Sequence, residues 1–236
     1  MRLTDLQLKK RFFVYANECL EGGLIVSDKD KASFTKIFEV FEEGKIGIII
    51  YGNTGTGKTL IFELLRRVIN PKDSQYFLIR NTLDIVLNFN IEGHASFRHH
   101  DKFNMMYDDL GNENKGVFYG DDVDVFEKLI QFRYDLYRSK QLRTFFTTNL
   151  TQDELQEKYG PRVWSRLKEM CSHVILDDGD KRTLRNFKKF LSINHHIKSD
   201  DDIEWEKRYE LYKQKSSEIE NLKQGLGART KKKFNN

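Results

Sequence analysis

The chain has 236 residues, of which 39% are hydrophobic and 32% charged, and its formal net charge is +4. This composition argues against a disordered chain, and the longest apolar run, Ile46–Tyr51, is too short to span a membrane. Arg229 and Lys231–Lys233 account for the whole positive excess, so bulk charge gives no argument for nucleic-acid binding. Cys19 and Cys171 have no partner spacing and predict reduced thiols in a cytoplasmic protein without a signal peptide.

Two helices are predicted at the start of the chain. The first belongs to an N-terminal extension over about residues 1–33, and the second begins a larger domain. The first covers residues 3–20, and its predicted buried side consists of Leu3, Leu6, Phe13, Ala16 and Leu20. The second has apolar residues at i, i+3, i+4 and i+7 from Phe34 and ends at Gly44.

Five short apolar runs then predict strands, and helical stretches separate most of them. The strands are Ile46–Tyr51, Tyr76–Ile79, Phe103–Tyr107, Arg143–Thr148 and His173–Leu176. The helices are Lys58–Val68, Thr82–Leu87, Val123–Arg138, one opened by a capping box at Thr151–Glu154, and one from Pro161 to about Met170. This alternation predicts an α/β fold with a parallel sheet. Asn88–Lys102 has no clear period and predicts a long loop, and Asp121, Asp122 and Asp124 predict a solvated helix start.

The stretch Gly52–Thr59 matches the pattern GxxxxGK[ST] between a predicted buried strand and a predicted helix. Glycines let successive backbone N–H groups point at phosphate oxygens, and the helix N-terminus adds its dipole. We expect Lys58 to reach the β- and γ-phosphates of ATP and the Thr59 hydroxyl to ligate Mg²⁺. The candidate nucleotide-binding residues are Gly52, Asn53, Thr54, Gly55, Thr56, Gly57, Lys58, Thr59 and Leu60.

Asp108 and Asp109 follow the predicted strand Phe103–Tyr107, fifty residues after Lys58. Ligands of open parallel sheets bind at the carboxyl ends of the strands, so this is where a phosphate-binding fold needs acids. We expect Asp108 to hold Mg²⁺, mostly through water, and Asp109 to orient and polarise the attacking water.

Asn149 ends another apolar strand, where its amide can contact the γ-phosphate or the attacking water. Arg162 and Arg166 lie four residues apart on one face of a predicted helix. Either they form a surface pair bonded to Glu169 or Asp153, or they offer an arginine finger to a neighbouring subunit's nucleotide. Arginine suits the second role because its charge is permanent and its fork fits phosphate oxygens.

Taken together, five segments resemble AAA+ ATPases of the bacterial helicase-loader type (DnaC/DnaI-like), a group that includes related transposition helper ATPases. The segments are GNTGTGKT, MMYDDLGNE, TTNL, YGPRVWSRL and VILDDGDKR, and the resemblance covers about residues 34–185. It implies a P-loop domain over residues 34–199 with a five-stranded parallel sheet in the order 5-1-4-3-2.

The resemblance also implies roles for single residues. Lys58 and Thr59 correspond to Walker A, Asp108 and Asp109 to Walker B, Asn149 to sensor 1, Arg166 beside Arg162 to the finger, and Arg182 to sensor 2. It implies ATP hydrolysis with Mg²⁺ by a homo-oligomer that carries the nucleotide between subunits. The implied partners are a replicative helicase and single-stranded DNA, with no membrane.

The chain departs from loaders of this type in three places. Only about 44 residues precede the first sheet strand, where loaders carry a substantial helicase-gripping domain. Residues 88–102 include Arg98–His100 and are either a plain insertion or a DNA contact. Residues 200–236 predict a charged helix, either packed on the body or partner-binding, and a basic tail that is either disordered and solvated or binds phosphate backbones weakly. The pairs His99–His100 and His195–His196 predict no metal site.

The sequence therefore predicts an ATP-hydrolysing AAA+ protein that acts in DNA replication as a helicase loader. Three alternatives stay open: a transposition helper ATPase of the same fold, a superfamily 3-like viral helicase, and a nucleotide-gated binding module that does not hydrolyse ATP. Co-purification with a helicase or a transposase, strand unwinding by the purified protein, and phosphate release separate them.

Overall fold

The computed structural model describes residues 5–20, 24 and 26–177. The helices of this part are α1 (Asp5–Cys19), α2 (Lys31–Glu43), α3 (Lys58–Val68), α4 (Thr82–Glu92), α5 (Val125–Lys140) and α6 (Gln152–Met170), with a 3₁₀ helix at Gly93–His100. The strands are β1 (Gly47–Tyr51), β2 (Phe77–Asn81), β3 (Asn104–Leu110), β4 (Gly116–Phe118), β5 (Asp121–Val123), β6 (Thr144–Thr148) and β7 (Cys171–Ile175). Arg182, His195–His196 and the predicted C-terminal helix and tail lie outside the described residues. None of the described helices has the length and apolarity needed to cross a membrane.

Five strands form one parallel sheet in the order β2-β3-β6-β1-β7, which confirms the predicted α/β fold class. These labels differ from the predicted order 5-1-4-3-2 because an unpredicted antiparallel hairpin, β4–β5, comes between β3 and β6 in the chain. When only the strands of the large sheet are numbered, β6 becomes the fourth and β7 the fifth. β1 then lies between the fifth and fourth strands, as predicted.

The central position of β1 explains its continuous apolarity, since β6 and β7 flank it and all five of its residues are buried. Phenylalanines from α2, α3 and the strands fill one face of the sheet, and the rings of Phe41 and Phe145 stack with centroids 5.0 Å apart. The strands also approach very closely at one point. A Cβ atom on Gly47 would lie 1.6 Å from the Thr144 carbonyl oxygen, so only glycine allows this pairing.

Helix α1 packs into the same core, and its predicted inward side is confirmed in part. Predicted Ala16 is buried, and predicted Phe13 and Leu20 are half-buried against the core. The buried residues are Leu8, Phe12, Ala16 and Cys19, which follow the i, i+4, i+8 and i+11 spacing of a helical stripe. Leu6 was predicted to be buried and is 76% exposed. Phe12 contacts Phe38 of α2 edge to face, with ring centroids 5.3 Å apart, and this contact decides which side of α1 faces inward.

The predicted loop at Asn88–Lys102 is wrong. Helix α4 runs to Glu92, where Gly93 with a positive φ of 58° ends it, and the 3₁₀ helix follows directly. Buried Phe97 and His100 lie three residues apart, the period of a 3₁₀ helix, so the stretch has a face that the α-helical pattern does not reveal. The fully buried Arg133 donates to the His100 carbonyl oxygen and fixes the end of the segment.

The acidic run before α5 also differs from the prediction. Asp121 and Asp122 lie in β5, and only Asp124 belongs to the helix start, where its Oδ1 accepts from the Glu127 N–H at 3.0 Å. The predictions for α6 are confirmed. Thr151 and Glu154 form the capping box, and Gly160 has a non-helical φ of 79°, so Pro161 begins a second helical segment.

Candidate active site

The loop between β1 and α3 has the backbone that a phosphate-binding loop requires. Gly55 and Gly57 have φ values of 91° and 89°, which side-chain-bearing residues rarely adopt. The Asn53 carbonyl oxygen accepts from both the N–H and the hydroxyl of Thr56 and closes the turn. Gly57 has no side chain to cap α3, so the first N–H groups of the helix face the loop and favour an anion.

Lys58 is 5% exposed and its ammonium lies inside the loop. Nζ donates to the carbonyl oxygens of Gly52 at 2.7 Å and Asn53 at 3.0 Å, and to Oδ1 of Asn149 at 2.8 Å. The side chain of Asn149, which follows the neighbouring strand β6, is therefore tied to the loop that follows β1. A cation held here is placed to meet the phosphate groups that the loop amides attract.

Asp108, near the end of β3, lies next to Thr59 in the first turn of α3. The Thr59 hydroxyl donates to Asp108 Oδ1 at 2.8 Å, and the Thr147 hydroxyl donates to the same oxygen at 2.6 Å. Burial raises the pKa of the Asp108 carboxyl, and Asp109 adds to this, while the hydrogen bonds from Thr147 and Thr59 act in the opposite direction.

These neighbouring hydroxyl and carboxylate oxygens fit Mg²⁺, which prefers hard oxygen ligands and usually keeps several waters. Among the described residues, no group of three or more His, Cys, Asp or Glu side chains could hold a metal ion. An ion at Thr59 and Asp108 would therefore complete its coordination with water and the phosphates of a nucleotide.

Asp109 follows Asp108 in a part of β3 where the pairing with β6 shifts register between Tyr107 and Leu110. Its φ is 62°, in the left-handed region that aspartate adopts uncommonly. The half-buried side chain lies close enough to Asp108 to influence its pKa. The structure therefore brings together Lys58 and Thr59 of α3, Asp108 and Asp109 of β3, and Asn149, which follows β6.

The two arginines of α6 lie apart from this cluster of contacts. The guanidinium of Arg166 lies over the Tyr134 ring, 5.3 Å from its centroid, and its Nη1 is 3.4 Å from Gln131 Oε1, so both partners belong to α5. Arg162 is exposed. Glu169, the partner considered for an arginine pair, instead accepts from Tyr134 and from Arg138.

Sequence reasoning missed Thr147 and Glu63. Thr147 is a buried hydroxyl near the end of an apolar strand, two residues before Asn149, which is the signal that could have found it. Glu63 lies four residues after Thr59 on the same face of α3. Burial raises the pKa of Glu63, and the charge of Asp108 raises it further, so a third carboxyl borders the site.

No protein-family model and no curated protein matches this chain. Solved structures do match it. One is a candidate primosome component from Streptococcus pyogenes serotype M3, with 15% identity, a TM-score of 0.55, and coverage of 73% of this chain and 91% of that one. Another is the DnaC helicase loader, with 20% identity, a TM-score of 0.52, and coverage of 71% and 99%.

A third match is the replication initiator DnaA bound to AMPPCP and single-stranded DNA, with 14% identity and a TM-score of 0.53. It covers 80% of this chain, but this chain spans only 59% of that one. At these identities the similarity establishes the fold. The architecture that the motif resemblance implies is thereby confirmed, because these neighbours include a helicase loader and a replication initiator of the same fold.

Proposed function

We propose that this chain binds ATP with Mg²⁺, hydrolyses the ATP, and acts in DNA replication as a helicase loader. The observation that carries the proposal is the 2.8 Å hydrogen bond between Thr59 and Asp108, beside a buried Lys58. A glycine-rich turn alone would need neither the lysine nor the acid. The three together supply an anion site, a fixed cation and two oxygen ligands for a divalent ion.

Each residue of the site has a role in hydrolysis. The loop amides and Lys58 bind the phosphates and counter the charge that develops on them. Asp109 orients and polarises the attacking water, and Asn149 contacts that water or the γ-phosphate. A Mg²⁺ ion bound at Thr59 and Asp108 would neutralise phosphate charge in the reaction.

The loader role follows from the motif resemblance, and the similarity to solved structures supports it. The chain spans 99% of the length of the DnaC helicase loader structure. We propose residues 34–199 as the ATPase domain, flanked by extensions at 1–33 and 200–236. A cytoplasmic homo-oligomer, a replicative helicase partner and single-stranded DNA binding belong to the same proposal.

In such an oligomer the nucleotide lies between subunits, and Arg166 completes the site of the neighbouring chain. Arg182 would contact the nucleotide from the same chain as sensor 2. Both assignments follow from the motif resemblance, and the half-buried position of Arg166 on the surface of α6 is compatible with reaching a neighbour.

Phosphate release and nucleotide binding test the enzymatic part. Lys58→Ala is expected to abolish ATP binding, whereas Asp109→Asn should bind ATP and lower turnover by about 10²–10⁴-fold. Exposed Lys45→Ala is a matched lysine control and should behave as wild type. Wild-type protein that binds ATP but releases no phosphate, even with single-stranded DNA and at high concentration, would contradict hydrolysis and favour a nucleotide-gated module.

Partner capture tests the cellular role. The tagged wild-type chain, purified from its own host with an ATP analogue, should retain a hexameric replicative helicase, and Lys58→Ala should retain less of it. Recovery of a transposase instead would identify a transposition helper. Strand unwinding by the purified chain alone would count against a loader and favour a helicase.

A further inference from the structure

We propose that Thr147 is a positioning residue of the candidate site, because its hydroxyl ties the carboxylate of Asp108 to the backbone of Asp109. The inference rests on the proposed ATPase function and adds a residue to its machinery. Thr147 does not touch the expected water or phosphate and acts through the two acids.

The hydrogen bonds of Thr147 have a defined direction. The side chain is fully buried, its Oγ1 accepts from the Asp109 N–H at 2.9 Å, and it lies 2.6 Å from Asp108 Oδ1. A hydroxyl has one proton, and an amide can only donate. The Thr147 proton is therefore available to Asp108, where it favours the charged carboxylate that a Mg²⁺ ligand must be.

The same hydroxyl supports an unusual backbone. Successive side chains of a regular strand point to opposite faces, so two adjacent acids would diverge. The register shift and the left-handed φ of 62° at Asp109 interrupt that alternation. Thr147 holds the N–H of Asp109, and the buried Thr82 donates to its carbonyl oxygen at 3.1 Å, so the irregular conformation is fixed from both sides.

The end of β6 and the residue that follows it thus contact both halves of the site. Thr147 contacts the two acids, and Asn149, two residues later, contacts Lys58. A purely structural threonine would need only satisfied hydrogen bonds. Here the partners are the carboxylate of Asp108 and the backbone N–H of Asp109, which points to a role in aligning the metal ligand with the residue that activates water.

The test compares Thr147→Val, which keeps the shape and removes the hydroxyl, with Thr147→Ser, which keeps the hydroxyl. Two quantities are measured on the full chain: the Mg²⁺ dependence of binding of a fluorescent, non-hydrolysable ATP analogue, and the kcat and KM for ATP. For Thr147→Val we expect the Mg²⁺ concentration at half-maximal binding to rise, and kcat to fall, by about 10–100-fold. Thr147→Ser should stay within about threefold of wild type in both.

Thr144→Val is the matched control, since it places the same substitution at the other end of β6, where Oγ1 accepts from Arg133 Nε at 2.9 Å. Thr144→Val should lower thermal stability and leave the Mg²⁺ dependence unchanged. If Thr147→Val does not fold, Thr147→Cys, whose thiol is a weak donor, replaces it with the same expectation.

A folded Thr147→Val variant with unchanged Mg²⁺ dependence and kcat would overturn the inference, and so would an equal loss in Thr144→Val. The proposed ATPase function can be contradicted independently of the role of Thr147. If wild type binds the Mg²⁺–nucleotide but does not hydrolyse ATP, hydrolysis is wrong and the Mg²⁺ titration still decides on Thr147. Wild type that binds no Mg²⁺–nucleotide overturns both.

Discussion

The ammonium of Lys58 lies 2.8 Å from the amide oxygen of Asn149, so the phosphate-binding loop and the end of β6 are joined by one hydrogen bond. Two carbonyl oxygens of the loop also hold this ammonium, so the lysine stays in place without Asn149. We therefore expect this contact to respond to the phosphate of a bound nucleotide rather than to hold the loop in place.

For this reason Asn149→Ala should lower kcat by about 10²-fold or more with ATP affinity within about threefold of wild type. Asn149→Asp should instead weaken ATP binding strongly, because it places a negative charge where phosphate approaches. Steady-state kinetics and analogue titration distinguish the two. Normal ATP turnover by Asn149→Ala would show that Asn149 takes no part in hydrolysis.

Arg166 contacts Tyr134 and Gln131 of its own chain, so a finger role requires it to act on a neighbour. We expect Arg166→Ala to bind ATP as a monomer and to lose hydrolysis in the assembled state by about 10³-fold or more. Arg11 is an exposed arginine of α1 outside the site, so Arg11→Ala is the control and should retain turnover.

Mixing subunits sharpens this test. Arg166→Ala and Asp109→Asn are each expected to be inactive alone, yet a mixed oligomer contains sites with an intact Asp109 and an intact neighbouring Arg166. Recovery of phosphate release on mixing supports a finger acting between subunits. Hydrolysis at the wild-type rate by assembled Arg166→Ala shows that the assignment is wrong.

The raised pKa of Asp108 predicts that its ionised carboxylate destabilises the folded chain. Burial disfavours the ionised form in the folded chain, so the penalty is absent below the unfolded pKa of about 3.9 and complete above the folded pKa. Asp108→Asn should therefore raise the free energy of unfolding near pH 7 by about 0.5–2 kcal/mol. Denaturant titrations without Mg²⁺ should show this gain vanishing below about pH 4. A gain that is independent of pH would mean that charge is not its cause.

His100 predicts a loss of stability in mild acid. It is 2% exposed, and burial first and then the charge of Arg133 hold its pKa well below 6.5. The unfolded chain therefore takes up the proton first, and stability is lost as the pH falls through the unfolded pKa of about 6.5.

Between pH 7.5 and 5.5 this group should cost about 1 kcal/mol of unfolding free energy, and His100→Phe, which keeps a ring against Tyr107, should remove that part of the slope. His94 is exposed, so His94→Phe is the matched control and should leave the slope unchanged. Equal slopes for wild type and His100→Phe would show that His100 is not the responsible group.

The sequence predicted the parts of this molecule that depend on local chemistry. Helix α3 begins at Lys58 and ends at Val68 as predicted, because a glycine turn and an apolar periodicity bound it. The five sheet strands were predicted by their apolar runs, since strands covered on both faces are mainly apolar. Lys58, Thr59, Asp108 and Asn149 meet because the carboxyl ends of parallel strands share one edge.

The parts that were missed depend on packing between distant segments. The inward face of α1 is set by Phe38, and the 3₁₀ helix ends at a carbonyl held by Arg133 of α5. The contacts of Thr147 with Asp108 and Asp109 depend on the register of β6 against β3, which spacing along the chain does not encode. The finger and sensor 2 assignments, Arg166 and Arg182, stay predictions.

Gly47 lies at the opposite end of β1 from the phosphate-binding loop, yet its missing side chain sets the spacing on which the site depends. A Cβ atom at this position would clash with the Thr144 carbonyl oxygen and force β1 and β6 apart. Lys58 and Asn149 follow those two strands, so a displacement of the strands at Gly47 would also shift these two side chains at the other end of the sheet. Screens for loss of ATP turnover should therefore recover substitutions at this distant glycine together with those in the loop itself.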